Sequence, residues 1–165
     1  MSQSNTNLFL YPTPAPTYLL GSVDYYEFRY QDFLNRFPDE IPPHYYMAYG
    51  DKYVKKFSDV LFNRLSASGK LWMIQTRLEL QLEIEHKLCN DPQIELRKNE
   101  FKDFAFDSHA KIYKRTGVME LSLLDRFAIL MSLDVKDFFG EIGWQAIKVG
   151  LYCHNYQPNF SSSFK

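Results

Sequence analysis

The chain is predicted to be all-α, a single compact helical domain of about five to seven helices, and three observations predict it. A segment from Ser66 to Leu88 runs without a helix breaker, apolar residues on either side recur at helical spacing, and Ser, Asp, Pro and Gly stand where helices start and stop. With 165 residues, 45% of them hydrophobic and 17% aromatic, there is ample material for one core. The boundaries read as an extended Pro-rich arm over 1–21, a helical domain over 22–151 and a tail over 152–165.

The arm, "MSQSNTNLFLYPTPAPTYLL", favours polyproline II through Pro12, Pro14 and Pro16, without the PxxP spacing of common Pro-rich ligands. Its prolines interrupt a short apolar run that has no basic leader, so it does not read as a secretory signal. Leu8, Phe9, Leu10, Tyr18, Leu19 and Leu20 are too apolar for an idle linker. They are expected to pack on the body or on a partner. Gly21 and Ser22 permit a tight turn, which favours folding back over the first helix.

That helix is expected from about Asp24 to Phe37, with Asp24 and Glu27 as a capping pair, Tyr26, Tyr30, Phe33 and Phe37 on one face, and Pro38 as the stop. Pro42 and Pro43 then open a second helix whose buried stripe reads Tyr46, Tyr49, Tyr53, Phe57, Val60 and Leu61. Nine of the twelve tyrosines precede residue 54. Rings with a polar tip suit the boundary of a small core and suit an interface equally.

The third helix, 67–88, takes Ser66 as its N-cap. Leu71, Ile74, Leu78 and Leu82 form one apolar face, while Met73, Leu80, Ile84 and Leu88 form a second, which predicts a central helix lying between other elements. Arg77, Gln81 and Glu85 make one polar seam, expected to be a ladder of i,i+4 contacts. Glu79, Glu83 and His86 make the other. Glu83 and His86 have the Glu-x-x-His spacing of carboxylate-bridged di-iron bundles, but the chain holds only one such motif where those bundles use two.

Asp91-Pro92 is read as the start of a fourth helix that ends before Gly117, with Phe101, Phe104, Ala105, Ile112 and Tyr113 inward. It carries the Asp107-Ser108-His109 run, whose residue types are those of hydrolases. On a continuous helix Asp107 points about 160° away from His109, so the two cannot act on one atom. Asp107 is expected to pair with Lys111, and His109 to pack beside aromatic rings. Beyond it, Ser122 and Asp125 form a capping box and Asp134 caps another short helix. Trp144 and Ile147 are expected to close the core. Leu124, Ala128, Leu133 and Phe138 are spaced loosely as in a helix-turn-helix, yet the following helix offers Lys136 against Asp137 and Glu141, a poor set for base edges and phosphates.

Nineteen basic against twenty acidic residues give a net charge of -1, so no global field favours nucleic acid or an anionic membrane. No apolar run reaches the roughly 18 residues of a membrane span. Cys89 and Cys153 form neither a disulfide framework nor a CxxC pair, in keeping with a cytoplasmic protein. There is no phosphate loop, G-x-S-x-G elbow or HExxH. No catalytic residue, resident metal or cofactor is assigned.

The expected function is a protein-protein interaction module of the adaptor, secretion-accessory or toxin-neutralising kind, acting on another protein or by self-association. Leu8, Phe9, Tyr11, Tyr18, Leu19, Tyr25 and Tyr45 are its candidate contacts. The alternative is a metal-dependent or hydrolytic site built from Glu79, Glu83, His86 and His109, and the third reading is the helix-turn-helix-like DNA binder.

Overall fold

In the computed structural model, which describes residues 11–133, the all-α class holds: the described residues form five α-helices joined by π and 3-10 segments, with no strand. The helices are α1 (Tyr25–Arg36), α2 (Lys52–Lys56), α3 (Ala67–Asn90), α4 (Lys98–Arg115) and α5 (Leu123–Met131). Leu8, Phe9, Asp134, Lys136, Phe138, Trp144, Ile147 and Cys153 lie outside the described residues. Contacts group the described residues into two compact units, one of residues 11–55 with Arg77–Ala105, the other of Lys56–Thr76 with residues 106–133. The residues expected to form one helical domain therefore contribute to both.

In the first unit, α1 ends where Pro38 withdraws an N–H and forbids helical backbone at Phe37. Its start differs from the expected capping pair. Asp24 already has near-helical backbone and its side chain caps nothing; instead the Asp24 N–H donates to Ser22 Oγ at 3.2 Å. The inward stripe differs more. Tyr26 and Phe33 are buried as expected, but so are Tyr25, Arg29, Asp32 and Arg36, which recur at helical spacing and are mostly charged.

The second helical run begins after buried Pro43 and passes through π segments at Tyr46–Asp51 and Phe57–Leu61 on either side of α2. Wider turns of this kind displace the stripe expected from a 3.6-residue period. Tyr46, Gly50, Asp51 and Val54 are buried in the first unit and Leu61 and Leu65 in the second, whereas Val60 is exposed. Aromatic edges then fill the first core: Tyr25 on Tyr26 (5.2 Å), Tyr26 on Tyr45 (6.2 Å), and Tyr45 and Tyr46 on Phe101 (5.9 and 5.1 Å). Gly50 sits against the Tyr26 ring so closely that a Cβ there would overlap it.

α4 starts at Lys98, not at Asp91. Residues Ile94–Leu96 form a 3-10 turn that carries Ile94 and Glu95 into the core. Asp91 does not cap a helix because its carboxylate is taken by Arg97 (2.5 Å) and Lys87 (3.2 Å).

The second unit gathers Leu61, Leu65, Trp72, Met73, Val118, Leu121 and Ile129, with the Trp72 and Tyr113 rings edge to face at 5.4 Å. Ser66 caps α3 as expected, accepting the Gly69 N–H at 3.2 Å. Ser122 caps α5, accepting the Asp125 N–H at 3.1 Å. Asp125 also accepts the Ser66 hydroxyl at 2.6 Å and the Ser66 N–H at 2.8 Å, so one carboxylate ties two helix starts together. Those bonds hold its carboxyl below the usual carboxylate range. Gly117, just past α4, takes the left-handed conformation at φ 82°.

Only one of the two apolar faces expected on α3 is inward along its length. Met73, Ile84 and Leu88 are buried and Leu80 half-buried, but Leu71, Ile74 and Leu82 are exposed and Leu78 half-buried. The remaining inward positions go to Trp72 and to Thr76 and Gln81, two polar residues that a hydropathy pattern does not select.

Gly50→Ala is expected to destabilise the protein by about 1–3 kcal/mol, the range for overpacking a core. Tyr26→Leu in the same background should recover part of the loss. Denaturant unfolding of the four chains measures both.

Candidate functional site

α1 and the second half of α3 build the feature of the first unit with most chemistry in it. Tyr25, Arg29, Asp32 and Arg36 share the inward face of α1, α3 supplies Gln81 and Glu85, and the 3-10 turn supplies Glu95. They form a chain of contacts. Tyr46 donates to Glu95 at 2.6 Å, and Arg36 bridges Glu95 (2.5 Å) and Asp32 (2.9 Å). Arg29 lies between Asp32 (3.6 Å) and Glu85 (3.4 Å), and Tyr25 donates to Glu85 at 2.7 Å.

The electrostatics follow from the count of two guanidinium groups against three carboxylates. One carboxylate is in excess, and Glu95, wholly buried, is held above the usual carboxylate range by loss of hydration, which outweighs the bonds from Tyr46 and Arg36. Burial likewise raises the phenols of Tyr25 and Tyr46, and it pushes Tyr26 up to about 12. The guanidinium groups keep apolar company on their faces, Arg29 over Phe28 at 4.5 Å and Arg36 over Phe37 at 5.1 Å.

Residues 11–22 lie along this chain as a strap. Thr13 N–H donates to Asp32 at 3.2 Å while the Thr13 carbonyl accepts from Arg29. Ala15 N–H donates to Glu85 at 2.9 Å. Gly21 N–H donates to Gln81 Oε1 at 2.6 Å, and Gln81 Nε2 donates to the Ser22 carbonyl at 2.9 Å. The seam read as an i,i+4 ladder of Arg77, Gln81 and Glu85 is thus turned to other elements: Gln81 holds the strap and Glu85 holds strap and core. What the arrangement does chemically is present fixed acceptors and donors to a peptide main chain.

Of the candidate contact residues, Tyr11 and Tyr18 are exposed and Leu19 is half-buried. Tyr25 and Tyr45 are interior, Tyr25 bonded to Glu85 and to the Gln81 carbonyl and Tyr45 packed among rings, so they are placed to hold the core. The structure does not bring Glu79, Glu83, His86 and His109 into a metal site: among the described residues no three His, Cys, Asp or Glu side chains are grouped to hold an ion. In the second unit Asp107 is exposed, Ser108 is buried, and His109 rests between Phe106 (6.3 Å) and Tyr113 (5.7 Å), a packing position.

The second unit also carries an inverted helix. α5 turns Leu123 (75% exposed), Leu124 (82%), Phe127 (60%), Leu130 (43%) and Met131 (63%) outward while burying Asp125 and Ile129. Among the described residues no helix is long and apolar enough to cross a membrane. Sequence reasoning missed Arg29, Asp32, Arg36 and Glu95. The signal was present: Tyr25, Arg29, Asp32 and Arg36 share one helical stripe, a pattern that periodicity of charged residues would have found.

Comparison of the chain with family models, with curated proteins and with solved structures finds no match.

Because Glu95 is raised in the folded state, its contribution to stability is present in full below about pH 4.5 and is lost as pH rises through the raised value. Glu95→Gln, which has no charge to bury, should therefore gain relative to the parent as pH rises from about 4.5 to neutrality. Parallel unfolding curves across that range measure the difference. A constant difference would mean that Glu95 does not titrate there.

Proposed function

We propose that the protein is a protein-protein interaction module, of the adaptor, secretion-accessory or toxin-neutralising kind, that docks its partner on the outer face of α5. One observation carries the reading. A short helix that buries an aspartate and exposes Leu123, Leu124, Phe127, Leu130 and Met131 has its more apolar side where water would be, the mark of a surface that another element covers. Closely set leucine, phenylalanine and methionine side chains are suited to the apolar anchors that dominate interface energies, and methionine adapts to irregular partners. A cytoplasmic location goes with this reading, supported by two cysteines without disulfide spacing and by an exposed Cys89. The near-neutral net charge leaves apolar contact rather than a global field as the source of affinity.

A photo-crosslinking residue at Phe127 should give one cross-linked species of defined mass, and the same probe at exposed Lys111 on α4 should not. Leu124→Asp should abolish the species while leaving unfolding free energy within about 0.5 kcal/mol of the parent. A destabilisation of several kcal/mol would make the face part of the protein's own packing. Equal yields at both positions would make the contact unspecific.

A further inference from the structure

The groove that α1 and α3 offer in the first unit holds its strap through strap main-chain atoms. Thr13 contributes its N–H and carbonyl, Ala15 and Gly21 their N–H groups, and Ser22 its carbonyl. The groove side supplies only side chains: Asp32, Arg29, Glu85 and Gln81. Thr13, Pro14, Thr17 and Tyr18 remain exposed. Such a groove reads an extended backbone with N–H groups at alternate positions, as in recognition by strand or polyproline segments, rather than a pattern of side-chain pockets.

We propose that this groove is an interaction surface whose partner is the strap of a second copy of the same chain, so that two copies exchange residues 11–16 reciprocally. The strap is the one peptide known to fit, and every copy brings it in equal amount. Exchange keeps the bonds that Thr13 and Ala15 make with the groove, since the groove meets the same atoms from another molecule, and the balance between closed and exchanged forms is then set by concentration and by the connecting turn. Pro12, Pro14 and Pro16 keep the transferred piece extended, so little ordering cost separates the two forms. The connection is a series of tight turns, Leu19 N–H to the Pro16 carbonyl and Ser22 N–H to the Leu19 carbonyl, ending at Gly21 with φ 81°. Opening those turns is the conformational change that exchange requires. None of the residues that form this groove belongs to α5, so failure of either reading leaves the other standing.

The test uses the full chain with Cys89→Ser and Cys153→Ser, in two labelled populations. One carries a donor dye at Tyr11→Cys on the strap. The other carries an acceptor at His86→Cys, an exposed position next to the Glu85 that binds Ala15. Energy transfer between chains should appear on mixing and rise with concentration. It should disappear when the donor chain carries T13P and A15P, which remove two N–H donors and preserve the extended strap. An excess of unlabelled peptide of residues 11–23 should also suppress it, and a peptide of the same composition in scrambled order should not. Absence of transfer at every concentration overturns the proposal. So does transfer that survives both the prolines and the peptide, which would place the association elsewhere, or equal competition by the scrambled peptide, which would make the groove indifferent to this strap. If the T13P and A15P chain loses its fold, competition by the peptide on the unaltered strap reads the same contact.

Discussion

The ion pair between Arg36 and Glu95, both buried and 2.5 Å apart, is the contact on which the first unit depends. A lone charge in such a place would cost several kcal/mol of lost hydration, so each group must find its partner or the local structure must open. That demand propagates. Arg36 needs Asp32 as well as Glu95, Asp32 draws Arg29, Arg29 draws Glu85, and Tyr25 and Tyr46 close the ends with their hydroxyls. Two features of the first unit answer to this demand. The chain between α3 and α4 forms a 3-10 turn that carries Glu95 inward, and α1 presents its charged stripe to the core instead of to water. A buried network of this kind contributes less to net stability than to selecting one arrangement, because misaligned alternatives leave charges unpaired.

The strap belongs to the same system. Its prolines cannot donate, so the amides left free at Thr13 and Ala15 are the ones the carboxylates of Asp32 and Glu85 receive. The second unit uses a smaller version of the device, in which Asp125 serves its own helix start and that of α3. Buried polar groups specify geometry in both units, and aromatic and aliphatic side chains fill the space around them.

How much of this was legible in the sequence depended on which interaction decided each element. The class, the extent of α3, the caps at Ser66 and Ser122, the stop at Pro38 and the left-handed Gly117 rest on local chemistry and could be read directly. The stripe of the second helical run could not, because π turns have no hydropathy signature. The start of α4 was misplaced because Asp91-Pro92 resembles a cap and N1 proline, while the fate of Glu95 was fixed by Arg36, fifty-nine residues away. The outward face of α3 looked like core since Leu71, Ile74 and Leu82 are apolar, yet Trp72, Thr76 and Gln81 take the inward positions. As for candidate residues, the position of Tyr25 and Tyr45 in the interior needed the tertiary partners Glu85 and Phe101, and no local rule supplies those.

The most direct test of the account is a double-mutant cycle across the central pair at neutral pH. Arg36→Met and Glu95→Leu should each cost about 3–5 kcal/mol of unfolding free energy, since each strands a buried charge. The double variant, with no charge stranded at this contact, should cost less than the sum by well over 1 kcal/mol, a coupling typical of residues in one network. Additivity of the two losses within about 0.5 kcal/mol would contradict the account, because it would mean that Arg36 and Glu95 do not hold each other in place.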